Sequence, residues 1–180
     1  INIWCYNSKR YKYMLSNVKD ELNRFAKYVI SQSRANLTRQ KKNSSKELYN
    51  SLDSEVKVSA NSFSLSFLMA EYGVFQDKGV SGVKKKYNTK YAYTTKMPPP
   101  SKMDKWIVKK GIAPRDKDGK FISRKSLQFM IARSIFNNGI KPSLFFTKPF
   151  EKAFKGLNKD LVEAYKLDVE ALIKTTVNNK

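Results

Sequence analysis

The sequence predicts an α+β fold: an antiparallel sheet packed by long N- and C-terminal helices, with a helical insertion between the strand region and the last helix. Three patterns predict it. Apolar residues recur at helical spacing over 18–37 and again over 150–173, and between these stretches the period drops to two over 56–67. The expected organisation is one domain over 1–180, with about 84–143 inserted within it.

The first stripe is Val18, Leu22, Phe25, Ala26, Val29, Ile30, Ser33 and Leu37, with charged residues opposite, which gives an amphipathic helix over about 13–40. "QKKNSS" ends it, and "KELYNSLD" forms a short helical turn after a cap at Ser44–Ser45. Val56 and Val58 then alternate with polar residues, as do Phe63, Leu65 and Phe67 with Ser62, Ser64 and Ser66. Two half-buried strands joined near Ala60–Asn61 follow from that alternation, with the apolar face packed under a helix.

Further along, Tyr91 and Tyr93 suit a short strand, which Pro98–Pro100 cannot continue. Ser101 is the expected N-cap of a helix running to Lys110, with Gly111 at its C-terminal end. Asp118–Gly119 supplies the positive φ of a tight hairpin turn. Ser123 caps a helix carrying Leu127, Met130, Ile131, Ile135 and Phe136 on one stripe, and Gly139 closes it. "IKPSLFFTKPF" reads as an extended, proline-bounded segment, suited either to ordinary core or to the exchange of arms between subunits. The final helix starts at Thr147 or a neighbour and aligns Phe150, Ala153, Phe154, Leu157, Leu161, Ala164, Tyr165, Leu172 and Ile173.

Charge is the outlying property. Thirty-six Lys and Arg against 15 Asp and Glu leave a formal +21 on 180 residues. Such an excess repels itself unless a polyanion or an acidic subunit lies close by, and nucleic acid is the commonest such partner. The plainer alternative is a lysine-rich solvated surface. One cysteine, Cys5, permits no intrachain disulfide and reads as a small apolar residue. No apolar stretch is long enough to span a bilayer, and the N-terminal residues lack the hydrophobic run of a signal peptide. The chain opens with Ile, so residues before it are expected, and assembly inside a cell, without membrane contact, is the expected setting.

The residues needed for bond-breaking chemistry are scarce. Histidine is absent, which removes the commonest general base and zinc ligand and leaves Cys5 without an activating partner. In "RDKDGKF", Asp116, Asp118 and Gly119 match positions three, five and six of an EF-hand. Pro114 and Lys125 then fall where the first and last acidic ligands belong, so a surface hairpin is preferred. Glu21, Asp53, Glu55 and Glu71 flank the sheet without the spacing of a carboxylate metal site. No enzyme activity, cofactor or metal is expected.

"EYGVFQDKGVSGVKKKY", 71–87, matches neither a Walker loop nor a dinucleotide fingerprint. Gly73, Gly79 and Gly82 are expected to take conformations forbidden to other residues where a strand turns away from the sheet. Lys84, Lys85 and Lys86 then leave the turn as a positive knob, either solvated or touching a nucleic-acid backbone. Arg39, Lys41, Lys42, Lys109 and Lys110 are further candidates for such contact, and Tyr87, Tyr91 and Tyr93 interleave with the charge as stacking platforms.

Several short motifs carry a resemblance. Leu48–Ser51 ("LYNS"), Glu71-Tyr72-Gly73, "DKGVSG" at 77–82, and Lys148-Pro149-Phe150 before the last helix fall in a characteristic order. In that order the chain, over about 30–170, resembles the tail-completion or neck proteins of long-tailed bacteriophages, and it departs from their compact pattern over about 84–143. The resemblance implies a non-enzymatic virion protein, assembled in the host cytoplasm as a homo-oligomeric ring between the head connector and the tail. Its implied partners are other connector and tail proteins and the DNA passing through the ring. The rival expectations are a sequence-independent nucleic-acid-binding protein and a metal-dependent nuclease.

Overall fold

The computed structural model describes residues 16–42, 45–59 and 62–177. Cys5, the start of the predicted first helix, Ser44 and the turn at Ala60–Asn61 lie outside the described residues, as does the Val58 side chain.

The architecture is α+β. In chain order it runs α1 (Ser16–Arg39), α2 (Glu47–Ser51), β1 (Asp53–Ser59), β2 (Ser62–Leu68) and α3 (Tyr72–Lys78). A 3-10 turn (Pro100–Met103) leads directly into α4 (Asp104–Lys110), followed by α5 (Arg124–Asn138) and α6 (Thr147–Val177). The chain forms two compact units. One comprises the described residues up to Asn36, Asn50–Met69 and those from Phe145; the other comprises Leu37–Tyr49 and Ala70–Leu144.

In the first unit the predicted stripe of α1 is the buried one: Val18, Leu22, Phe25, Ala26, Val29 and Ser33 are all buried. Ser33 is tolerated there because its hydroxyl donates to the Val29 carbonyl at 2.7 Å. β1 and β2 pair antiparallel from Asp53 with Leu68 to Ser59 with Ser62. Val56 and Leu65 pack with Val18, Leu22, Leu161 and Ala164. Phe25, Val29 and Leu157 form a second cluster with Phe67, Phe146 and Phe150. Phe150 is its centre, with ring centroids 5.6 Å from Phe25, 5.9 Å from Phe67, 5.9 Å from Phe146 and 5.6 Å from Phe154. Pro149 is buried and sits in the first turn of α6, where its missing N–H costs no helical bond.

Four expectations about burial need correction in this unit. Phe63 is 44% exposed rather than on the packed face, and Phe154, Tyr165 and Ile173 point outward at 48%, 55% and 56%. Asp168, by contrast, is a charged residue only 3% exposed. Its carboxylate accepts from the Asn17 and Val18 amides at 3.0 and 3.1 Å, from Asn17 Nδ2 at 2.8 Å and from the Ser16 hydroxyl at 3.5 Å. A side chain of α6 thereby caps the N-terminus of α1, where the first amides lack helical acceptors and the helix dipole favours negative charge. The second half of "SLFF" is core: Phe145 is fully buried, its carbonyl accepting from Asn36 Nδ2 at 3.1 Å, and Phe146 joins the aromatic cluster.

The second unit confirms several punctuation signals, Gly111 and Gly139 at the ends of α4 and α5 among them, and corrects others. Ser123 caps α5, accepting from the Ser126 amide at 3.2 Å. Gly119 has φ +79 in a hairpin turn where the Asp116 carboxylate accepts from the Asp118 and Lys120 amides. Ser101 is not an N-cap; it lies inside the 3-10 turn that opens at Pro100, whose fixed φ suits the first position of a helix. Tyr91 and Tyr93 form no strand element, only a parallel bridge centred on Ala92 with Ser81. On α5, Leu127 and Ala132 are buried while Met130 is 44% exposed. Asp104 ties α4 to α5, accepting from Gln128 Nε2 at 2.7 Å and facing Arg124 at 3.7 Å.

Candidate functional site

The stretch 71–87 does not leave the sheet as a glycine turn. Glu71 precedes α3 without making a side-chain cap, Tyr72 opens the helix, and Gly73 is buried within it. Of the three glycines only Gly79 has positive φ, at +76; it is matched by Gly139 at +71, after α5. Each turns the chain into one half of a backbone pair. Val80 N–H donates to the Ile140 carbonyl at 2.9 Å, and Ile140 N–H donates back to Val80 at 2.7 Å. On the other side, Ser81 N–H donates to Tyr91 and Tyr93 N–H donates to Ser81, both at 2.8 Å. Gly82 is needed for space: a Cβ there would collide with the Asn137 carbonyl.

The lysine run is held by that contact. Val83 N–H donates to the Phe136 carbonyl at 2.9 Å, and the Lys84 and Lys85 amides donate to the Asn137 carbonyl at 2.9 and 3.1 Å. These are terminal carbonyls of α5 that no helical amide reaches, so the loop caps the helix with its backbone. Ser81, only 3% exposed, closes the loop: its hydroxyl donates to the Tyr87 carbonyl at 3.1 Å and accepts from the Tyr87 amide at 2.9 Å. The Lys84, Lys85 and Lys86 side chains remain exposed, with Lys86 Nζ reaching the Gly82 carbonyl at 2.9 Å and Lys85 Nζ 5.7 Å from the Tyr87 ring centroid.

The other basic candidates form a second group. α1 ends in a turn where Lys41 N–H donates to Thr38 and Lys42 N–H donates to Leu37, at 3.0 and 2.9 Å. Lys109 and Lys110 occupy the last turn of α4, and Lys110 Nζ reaches the Lys41 carbonyl at 3.5 Å. The structure thus joins Lys110 to the end of the Arg39–Lys42 run, which sequence spacing alone could not indicate. Burial, reinforced by nearby Lys141, holds the Lys42 ammonium below its usual range.

An aromatic cleft of about 630 Å³ opens on the small bridged platform. Tyr72, Phe75, Tyr91 and Tyr93 line it with Lys90 and Gln76. Phe75 and Tyr91 meet edge to face at 4.7 Å, and Lys90 Nζ lies 5.2 Å from the Tyr91 ring centroid. Burial raises the Tyr93 phenol above its ordinary range. The Tyr72 phenol is raised by burial and then by Glu47, with hydrogen bonds to Ser45 and Leu48 acting the other way. Tyr91 and Tyr93 were legible as stacking candidates; the contributions of Tyr72 and Phe75 depend on α3 folding back beside them.

The acidic candidates stay apart. Glu21 pairs with Arg24 at 2.6 Å, Glu55 with Lys57 at 3.2 Å, and Asp53 accepts from the Ser54 amide at 2.8 Å. Among the described residues no group of three or more acidic or cysteine side chains is placed to hold a metal ion. No described helix is long and apolar enough to cross a membrane. No family model, curated protein or solved structure matches the chain.

Proposed function

We propose that the chain is a structural subunit of a bacteriophage neck, a non-enzymatic tail-completion protein that assembles with its own copies into a ring around the DNA channel. The observation that carries this reading is the two-stranded sheet of the first unit, in which, among the described residues, each strand pairs along one edge only. An open strand edge is a template for pairing with another chain. Repetition of one such head-to-tail contact closes a ring when the rotation allows it. Exposed Phe63 and Leu68, at 44% and 50%, add apolar area near the two ends of β2. The +21 charge suits a subunit beside packed DNA, and the motif order from "LYNS" to Lys148-Pro149-Phe150 supports the same assignment.

Electron microscopy and light scattering at high protein concentration, alone and with connector and tail proteins, test this. Rings or a bound assembly are expected, and Leu68→Lys should abolish them while leaving a folded monomer. A strict monomer that binds no virion component overturns the proposal.

A second reading, sequence-independent binding of nucleic acid, is favoured by the meeting of Lys110 with the Lys41 carbonyl, which concentrates two basic segments. Binding of this kind weakens with salt at a log–log slope of about −0.9 per duplex phosphate contacted. A flat salt dependence overturns this second reading.

A further inference from the structure

We propose that the aromatic cleft of the second unit is a binding site for an unpaired nucleobase, so that this face grips single-stranded nucleic acid rather than duplex. This rests on the second reading above, that the basic surface meets a nucleic-acid backbone, and goes beyond it by assigning a place to the base.

Several observations converge. The cleft volume of about 630 Å³ falls in the range of small-molecule sites and accommodates a nucleotide. Its walls are rings: Tyr72 and Phe75 from α3, Tyr91 and Tyr93 from the extended segment bridged to Ser81. Stacking on aromatic side chains is indifferent to base identity, because every base has a π-face, and a base inside a duplex cannot reach such a surface. Gln76 carries both a donor and an acceptor for a base edge.

Charge selects the occupant. Lys90 is the charged residue of the lining, and no carboxylate lines the cleft. Val80 of the lining continues through Ser81 into the loop bearing exposed Lys84, Lys85 and Lys86, which the Ser81 hydroxyl closes onto Tyr87. A base in the cleft therefore leaves its flanking phosphates beside Lys90 and near the start of a lysine run. An aromatic side chain from a protein partner would use the rings but have no need of that charge. The platform is braced for such a load by the Val80–Ile140 pair and by Thr89, whose hydroxyl donates to the Gly79 carbonyl at 3.2 Å.

The test is fluorescence anisotropy of the full chain with a labelled oligothymidylate of about 15 nucleotides, within the span one small module covers, against a duplex of equal length. Tyr91→Leu keeps an apolar partner for Phe75 but removes the ring. It should weaken single-strand binding roughly tenfold, as expected for loss of one stacked base, and leave duplex binding unchanged. Lys90→Gln, a change at an exposed residue, should lower the single-strand salt slope by about 0.7. Photocrosslinking of 5-iodouracil-substituted strand to the unmutated protein gives a readout independent of variant folding, with adducts expected on Tyr72, Phe75, Tyr91 or Tyr93. If Tyr91→Leu binds the strand as tightly as the parent, or the adducts map elsewhere, the cleft assignment fails while a steep salt dependence keeps the basic-surface reading. Absence of binding to either nucleic acid overturns both, and neither result bears on ring assembly.

Discussion

Lys41 and Gly111 hold the same post in two helix-ending turns. Each has left-handed φ, +54 and +61, and each donates its amide to the carbonyl three residues back. In both turns the following amide, of Lys42 or Ile112, closes the wider bond, to Leu37 or Ile107. Glycine is the usual occupant of this position because a Cβ there is strained by about 1–2 kcal/mol. Lys41→Gly should therefore stabilise the protein by about 0.5–1 kcal/mol in urea denaturation, although it removes a positive charge. If the same variant binds polyanions more weakly, the strain is the structural cost of a functional lysine.

The close approaches around Gly82 and Gly139 give a sharper case. A Cβ on Gly139 would lie 2.5 Å from the Gly82 nitrogen, and Gly139 also has positive φ, at +71. Gly139→Ala and Gly82→Ala should each destabilise by about 2–3 kcal/mol, since the neighbours are backbone and cannot step aside. Gly119→Ala, with a similar φ of +79 but open space around it, should lose only about 1 kcal/mol. Chemical denaturation of the three variants side by side decides whether contact or conformation dominates.

Removing the carboxylate that caps α1 is the third test. Asp168→Ala strands the Asn17 and Val18 amides and should cost about 1–3 kcal/mol. Hydrogen exchange should show the loss first as faster exchange at Val18, ahead of the middle of the helix.

Phe150 and Phe154 offer a contrast one helical turn apart. Phe150→Ala empties the centre of the aromatic cluster and should cost about 3–5 kcal/mol. Phe154 is 48% exposed, so its truncation should cost clearly less, and the difference in thermal midpoint measures how far the cluster extends.

Lys42 carries a pH prediction. Its ammonium is depressed below 10.5 by burial first and by Lys141 second. A base depressed on folding adds stability as pH rises from its folded pKa towards the unfolded value, so its share appears only on the alkaline side. At mildly alkaline pH the larger neutral fraction should make Lys42 acylate faster than the exposed lysines. Lys141→Gln should slow it part of the way back, as read by competitive labelling and mass spectrometry.

Much of the fold was legible in the sequence because the two periodicities are strong. The stripe from Val18 to Leu37 and the serine alternation of β2 each specify one buried face. The aromatic motif at Pro149–Phe150 marks the start of the last helix at Thr147. What escaped is long-range. Nothing local to Asp168 announces that it meets the first turn of α1, 150 residues away in sequence at Val18. Gly82 looked like a turn residue because its reason, the carbonyl of Asn137, arrives from a distant helix. Ser101 misled because Pro100, already in helical conformation, started the turn one residue earlier. The cleft was half visible, since the tyrosines at 91 and 93 share a two-residue spacing, whereas Phe75 joins them only through tertiary placement.

The capping of α5 by the lysine loop separates two kinds of change at this surface. The loop's amides, not its ammonium groups, satisfy the helix end, so the charges at 84–86 can be rewritten while the helix stays sealed. Chain length there has no such freedom: inserting or deleting one residue between Gly82 and Lys85 would shift the donors that follow it out of register with the helix end. Variation at this corner should therefore run through side-chain identity under a fixed residue count.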